Sequence, residues 1–233
     1  MTNSERFIDI YNKIDKYLKK IEAYDSYVNF AQKVKNSNSK VIQRFKDELL
    51  SFGELRNAIV HNPRIGNKYI AEPHESTVLR IEKIYESITT PLKVIPKFQF
   101  DVIGANQSDY INDILIEMNK MSFSQFPVYD DNGCVVELIS TNTISRWLSS
   151  QLEEKGTVLI EGVKVADLLT EIEFKGNYKF VSRNTSIYDA YELFISHIND
   201  KQRNLDAVFI TQNGKSTEKL LGLITIEDIA SLI

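Results

Sequence analysis

The chain has 233 residues, 42% of them apolar and 26% charged, enough for two small domains with a core each. One cysteine, Cys134, excludes an internal disulfide, and three histidines leave no metal-ligand cluster. The net charge of −4 is unevenly spread: residues 1–90 carry 15 Lys and Arg against 12 Asp and Glu, and residues 91–233 carry 13 against 20. The front can therefore meet a polyanion such as RNA, whereas the acidic remainder is a poor general nucleic-acid surface.

No apolar run approaches the roughly 18–20 residues of a membrane helix, and the first residues lack the basic-then-apolar order of a secretory signal. A cytoplasmic, metal-independent protein with no membrane contact is expected. From residue 4 to about 34, Phe7, Ile10, Ile14, Leu18, Ile21, Tyr24, Val28 and Ala31 fall at steps of three and four, which predicts one long amphipathic helix. Asn36-Ser37-Asn38-Ser39 stops it. A second helical pattern runs from about Lys40 through Phe45, Leu49, Phe52 and Ile59 to His61-Asn62-Pro63, where proline closes the ladder and drives Asn62 extended. A loop with Gly66 and Pro73 leads to a third helix over about residues 75–88. Three helices with short connections make an antiparallel bundle over residues 1–90, thin enough to complete its core by forming a homodimer.

Pro91 and Pro96 punctuate a linker over residues 91–97. Beyond it, short β-type runs alternate with helices and an internal repeat is legible. Ile111-Asn112-Asp113-Ile114 aligns with Ile187-Tyr188-Asp189-Ala190, Phe126-Pro127-Val128-Tyr129 with Asp206-Ala207-Val208-Phe209, and Asn132-Gly133 with Asn213-Gly214. Each Asn-Gly pair predicts a type I′ hairpin turn, both of whose central positions need positive φ. The fold class expected is α+β: a helical bundle, then two βαββα units at 98–150 and 179–233, joined by a connection at 151–178. Neither unit can bury its sheet alone, so the two pack sheet to sheet about a pseudo-twofold axis, with clefts between them.

In Leu221-Gly222-Leu223-Ile224-Thr225-Ile226-Glu227-Asp228-Ile229 a strand ends at a hydroxyl residue, and an aspartate follows in the first turn of the last helix. A carboxylate there can accept from both hydroxyls of a ribose, while Thr225 and the helix N-terminus offer donors to a phosphate. The same spacing is also that of a helix capping box. The segment resembles the closing motif of a CBS domain, and residues 98–233 resemble a tandem CBS pair. That resemblance implies a regulatory adenine nucleotide such as AMP or ATP, or another adenosyl ligand, and no catalytic cofactor. Carried over by position, Thr225 and Asp228 would hold phosphate and ribose, with Ala207, Val208, Val181 and Ser182 bordering the base. The first unit keeps the hydroxyl at Ser140 but has Thr143 where the ribose carboxylate should stand, which favours one ligand per pair.

Gly53-Glu54-Leu55-Arg56-Asn57-Ala58-Ile59-Val60-His61-Asn62 resembles the RN-three-H signature of HEPN domains, helical bundles many of which are metal-independent ribonucleases. His61 in a last helical turn is favoured as the cation by the helix dipole, and could move a proton at a ribose 2′-hydroxyl or at a leaving oxygen. Arg56 would stabilise phosphate charge and Asn57 would orient a neighbour. At roughly 100° per residue Arg56 and His61 diverge by about 140°, and the resemblance implies a dimer in which both copies of the motif line one cleft. His74 and His197 read as solvated, Trp147 as packing. Two functions remain open: a nucleotide sensor controlling an RNA-cleaving helical domain, or a non-enzymatic sensor whose helical domain only dimerises or docks a partner.

Overall fold

The computed structural model describes residues 1–63, 66 and 69–233. Two compact units divide it, Met1–Leu92 and Lys93–Ile233.

The first unit is helical. Helix α1 (Asn3–Ile21) starts at a capping box between Thr2 and Glu5, which satisfies two otherwise orphaned backbone donors. It does not continue to residue 34. After Ala23, at φ 49°, the chain leaves the helix, and Asn29 caps a second one, α2 (Phe30–Asn36). The cause is tertiary. Lys33, 5% exposed, puts its ammonium 2.8 and 3.0 Å from the two Asp15 oxygens, and the Phe30 ring packs 4.4 Å from that of Tyr11. Both contacts fold α2 back onto α1, as one straight helix could not. Ile21 is consequently exposed rather than buried.

Helix α3 (Lys40–Arg44) and helix α4 (Lys46–His61) meet at Phe45, where the backbone amide still reaches the Val41 and Ile42 carbonyls. The second helix expected from the sequence is thus bent at one residue. It ends at His61 with Asn62 extended at φ −82°, ψ 149°, the conformation a following proline demands. Of the loop read around Gly66, residues 64, 65, 67 and 68 lie outside the described residues. Helix α5 (Glu75–Thr89) closes the unit. Its core is drawn from Phe7, Ile14 and Leu18 of α1, Leu49, Phe52 and Ile59 of α4, and Val78, Ile81, Ile84 and Ile88 of α5, all buried. No helix among the described residues is long and apolar enough to cross a membrane.

The second unit opens on a short turn, α6 (Val94–Lys97). Val94 and Ile95 are buried against Ile187 and Phe194, so these residues are packed rather than a loose tether. Then come β1 (Ala105–Asn106), α7 (Ile111–Met121), β2 (Gln125–Tyr129), β3 (Val135–Ser140) and α8 (Thr141–Lys155). A short helix, α9 (Val165–Leu168), precedes β4 (Tyr178–Ser182), α10 (Ile187–Lys201), β5 (Ala207–Thr211), β6 (Gly222–Ile224) and α11 (Ile226–Ala230). Each half holds a three-stranded sheet, ordered β1-β2-β3 and β4-β5-β6. In each, the first pair is parallel and the second antiparallel. Helices cover one face of each sheet, over Ile111, Ile114, Phe126 and Trp147 in one half and Ile187, Phe194, Val208 and Ile224 in the other. On their other faces the two sheets share a third apolar cluster built on Val135, Leu138, Ala207 and Phe209. This explains why each sheet carries apolar residues on both faces. The connection read at 151–178 contributes Val165 and Leu168 to the first half's core.

The two Asn-Gly turns are not type I′ hairpins. In the first, the Gly133 amide bonds to the Asp130 carbonyl at 2.9 Å and only Gly133 has positive φ, 74°; the Asp130 carboxylate holds the amides of Asn132 and Cys134. An Asx-type turn has taken the place of the two-residue hairpin. In the second, Gly214 at φ 81° opens a longer loop pinned by Glu218, which accepts from the backbone and side chain of Asn213, both at 2.7 Å. Those bonds hold the Glu218 carboxyl down at about 2.

Candidate functional site

Strand β6 is short because Thr225 leaves it to cap α11, at φ −103°, ψ 170°. Asp228, three residues on, turns back so that its Oδ2 accepts from both the Thr225 amide and the Thr225 hydroxyl at 2.8 Å. Alongside β6 runs the segment that leads into the first sheet: the Phe100 amide donates to the Leu221 carbonyl at 3.2 Å. Gly222 permits that approach, since a Cβ there would sit on the Phe98 carbonyl oxygen. From the other half, the chain between α7 and β2 turns in after Ser122, in the left-handed region at φ 56°. Together these pieces enclose a cleft of about 380 Å³. Phe98, Phe100, Val102, Ile103, Pro127 and Leu223 supply apolar walls, and Gln125, Thr225, Glu227 and Asp228 supply polar groups. Oε1 of Gln125 is buried without a hydrogen-bond partner.

Thr225 and Asp228 thus share this cleft. The other four expected ligand residues do not line it. Ala207 and Val208 are wholly buried, because β5 is the middle strand of a sheet covered on both faces and has no surface to offer a base. Val181 packs in the core under α10. Ser182 lies at the end of β4, its hydroxyl 3.3 Å from that of Thr185. Pattern-reading missed the walls given by residues 98–103 and 122–127. The signal present was the run Phe98, Phe100, Val102, Ile103, too apolar for a plain linker.

A corresponding cleft of about 250 Å³ lies at the end of β3, lined by Ser140, Thr143, Phe174, Asn177, Arg203 and Asp206 among others. Thr143 is only 4% exposed, and its hydroxyl is committed to the Ser140 amide and hydroxyl at 3.4 and 3.3 Å. The Arg203 guanidinium covers the Phe174 ring, 3.9 Å from its centroid, which narrows the space. Burial pushes the Asp206 carboxyl up from its ordinary range.

Residues 165–233 match the family model of the CBS domain. The match starts at α9 and takes in β4 to α11, hence Thr225 and Asp228. Similar solved structures include the CBS domain of a CBS domain-containing membrane protein from Sphaerobacter thermophilus, at 12% identity, covering 68% of this chain and 98% of that one, TM-score 0.48. Another is the CBS-pair protein CBSX2 from Arabidopsis thaliana, at 18% identity, 61% and 94% coverage, TM-score 0.43. A third is the CBS domain pair of protein MJ0100, solved with 5′-methylthioadenosine and S-adenosylmethionine, at 14% identity, 61% and 95% coverage, TM-score 0.40. No curated protein matches the chain. The CBS match leaves the helical unit and the first sheet outside it.

In the helical unit, Arg56, Asn57 and His61 come together on one helix. Arg56 reaches along α4, with Nη1 3.4 Å from Asn57 Oδ1 and 3.2 Å from His61 Nε2. The expectation that Arg56 and His61 diverge is therefore corrected, because the arginine's length overrides the angular separation of the two Cα positions. A guanidinium can only donate, so in this contact Arg56 is the donor and His61 Nε2 faces it as the acceptor. Arg56 also lies 5.8 Å from the Tyr11 ring centroid, and its Nε is buried without a partner. The three residues line a cleft of about 650 Å³ with Tyr11, Asp15, Tyr27 and Lys35.

Proposed function

We propose that the C-terminal unit is a sensor for an adenosine-bearing small molecule, held in the Asp228 cleft, and that it regulates the helical unit. The observation that carries this is the placing of the Asp228 carboxylate on a cleft with apolar walls. Asp228 Oδ1 remains available beyond the cap, and a carboxylate oxygen with two lone pairs can take both ribose hydroxyls. A volume near the lower end of the roughly 300–1,000 Å³ usual for ligand pockets suits a nucleoside or nucleotide. In this reading the two halves at 98–150 and 179–233 form a CBS pair about a pseudo-twofold axis, and ligand works by favouring one packing of the halves over another. The test is a calorimetric titration of the full chain with adenosine. Asp228→Ala should weaken binding at least about tenfold, since two charge-assisted hydrogen bonds are lost. Unchanged affinity in that variant sinks the assignment.

For the helical unit, the Arg56–His61 contact favours a HEPN-like ribonuclease over a purely docking bundle. His61 Nε2, released as the Arg56 guanidinium turns to the phosphate, would take the proton from a ribose 2′-hydroxyl as that oxygen attacks phosphorus. The bond to the 5′-oxygen breaks, a 2′,3′-cyclic phosphate forms, and the 5′-oxygen takes a proton from water or from the histidine of a second copy in a homodimer. Arg56, which lines the same cleft, would face the phosphate. Cleavage of RNA should survive EDTA and fall by about 10²–10⁴ in His61→Ala. Intact RNA with and without adenosine, or full cleavage by that variant, leaves the docking role in its place.

A further inference from the structure

We infer that the ligand of the Asp228 cleft carries no phosphate: it is adenosine or a neutral or cationic adenosyl compound, not AMP or ATP. This rests on the adenosine reading above and narrows it. No lysine, arginine or histidine is among the described residues that line the cleft, and its two charged groups, Glu227 and Asp228, are both acidic. A phosphate of about −2 charge beside two carboxylates meets a like-charge juxtaposition, which disfavours its binding. The two donors of Thr225 are also spoken for. The Thr225 hydroxyl has one proton, and it is donated to Asp228; the Thr225 amide is donated to the same oxygen. Helix α11 is five residues long, too short to present a sizeable terminal field to an anion.

Beside the neutral hydroxyls of Ser122 and Ser124, the cleft offers acceptors and apolar surface. The Gln125 carboxamide belongs to the cleft's lining, and its oxygen is the type of acceptor that suits the exocyclic amine of adenine. The aromatic and aliphatic walls suit a purine ring, and the acidic mouth suits a hydroxylated sugar or a positively charged sulfonium substituent at the 5′ position.

The full chain is titrated by calorimetry with adenosine, AMP and ATP at one moderate salt concentration. Adenosine should bind most tightly, AMP at least about tenfold more weakly, and ATP more weakly still. Glu227 is exposed, so Glu227→Lys should fold normally and narrow the adenosine–AMP gap several-fold, chiefly by improving AMP. If AMP or ATP equals or exceeds adenosine, the inference is overturned while the adenosine reading stands. If none of the three binds, both fall. An unchanged gap in Glu227→Lys also overturns it, because charge at the cleft would then not set the preference.

Discussion

At the residue scale, an aspartate and a threonine in equivalent places of the repeat illustrate how one side chain changes a site. Asp228 spends one oxygen on the cap and has a second to offer; Thr143, in the matching position, spends its only oxygen on the cap and lies buried. The first cleft has instead collected Arg203, Phe174 and Asp206. Burial is the largest influence on the Asp206 carboxyl, pushing it up. The folded chain therefore binds a proton there more readily than the unfolded chain, and stability falls as pH rises through the window just above the ordinary carboxylate range. At neutral pH the ionised group is a standing cost. Asp206→Asn should raise the urea midpoint at pH 7, and the gain should shrink as pH drops to about 3, below the ordinary aspartate value of about 3.9, where the wild-type carboxyl is largely protonated in both states. A gain equal at both pH values would show that charge is not its source.

At the element scale, the helical unit is governed by where its longest periodic pattern breaks. Lys33 is the residue that ties α2 to α1, and its ammonium finds both oxygens of Asp15. Removing the acid leaves a buried ammonium without a partner, a more damaging change than losing both charges together. Asp15→Ala should destabilise the helical unit by about 1–3 kcal/mol, the lower range being apt because Asp15 is itself 37% exposed. Asp15→Ala combined with Lys33→Met should recover much of that loss. Urea denaturation followed on the helical signal measures both, and a double variant no better than the single would refute the pairing as the cause. The steps of three and four that suggested one long helix were real, yet periodicity is blind to a helix that folds back and keeps its apolar face inward. The Asn-Gly turns failed for a local reason: Asp130 and Glu218 capture turn amides with their carboxylates, an option the dipeptide alone does not reveal. The repeat was readable because strand and helix positions recur with turns between them. The cleft walls at residues 98–103 were not, because their role depends on Gly222 admitting a neighbouring backbone.

At the scale of the whole molecule, the protein joins a helical unit holding an Arg56–His61 pair to a unit whose last 69 residues, 165–233, match the CBS domain. Under the proposed function these parts have unequal tasks: the Asp228 cleft binds, its smaller counterpart, narrowed by Arg203 and Phe174, does not, and the helical unit responds. That asymmetry is the central claim, and the same adenosine titration measures it as a stoichiometry. Calorimetry on the full chain should return one adenosine per chain, with binding weakened at least about tenfold in Asp228→Ala and unaltered in Thr143→Ala. Two equivalent sites per chain, or equal losses in the two variants, would contradict it.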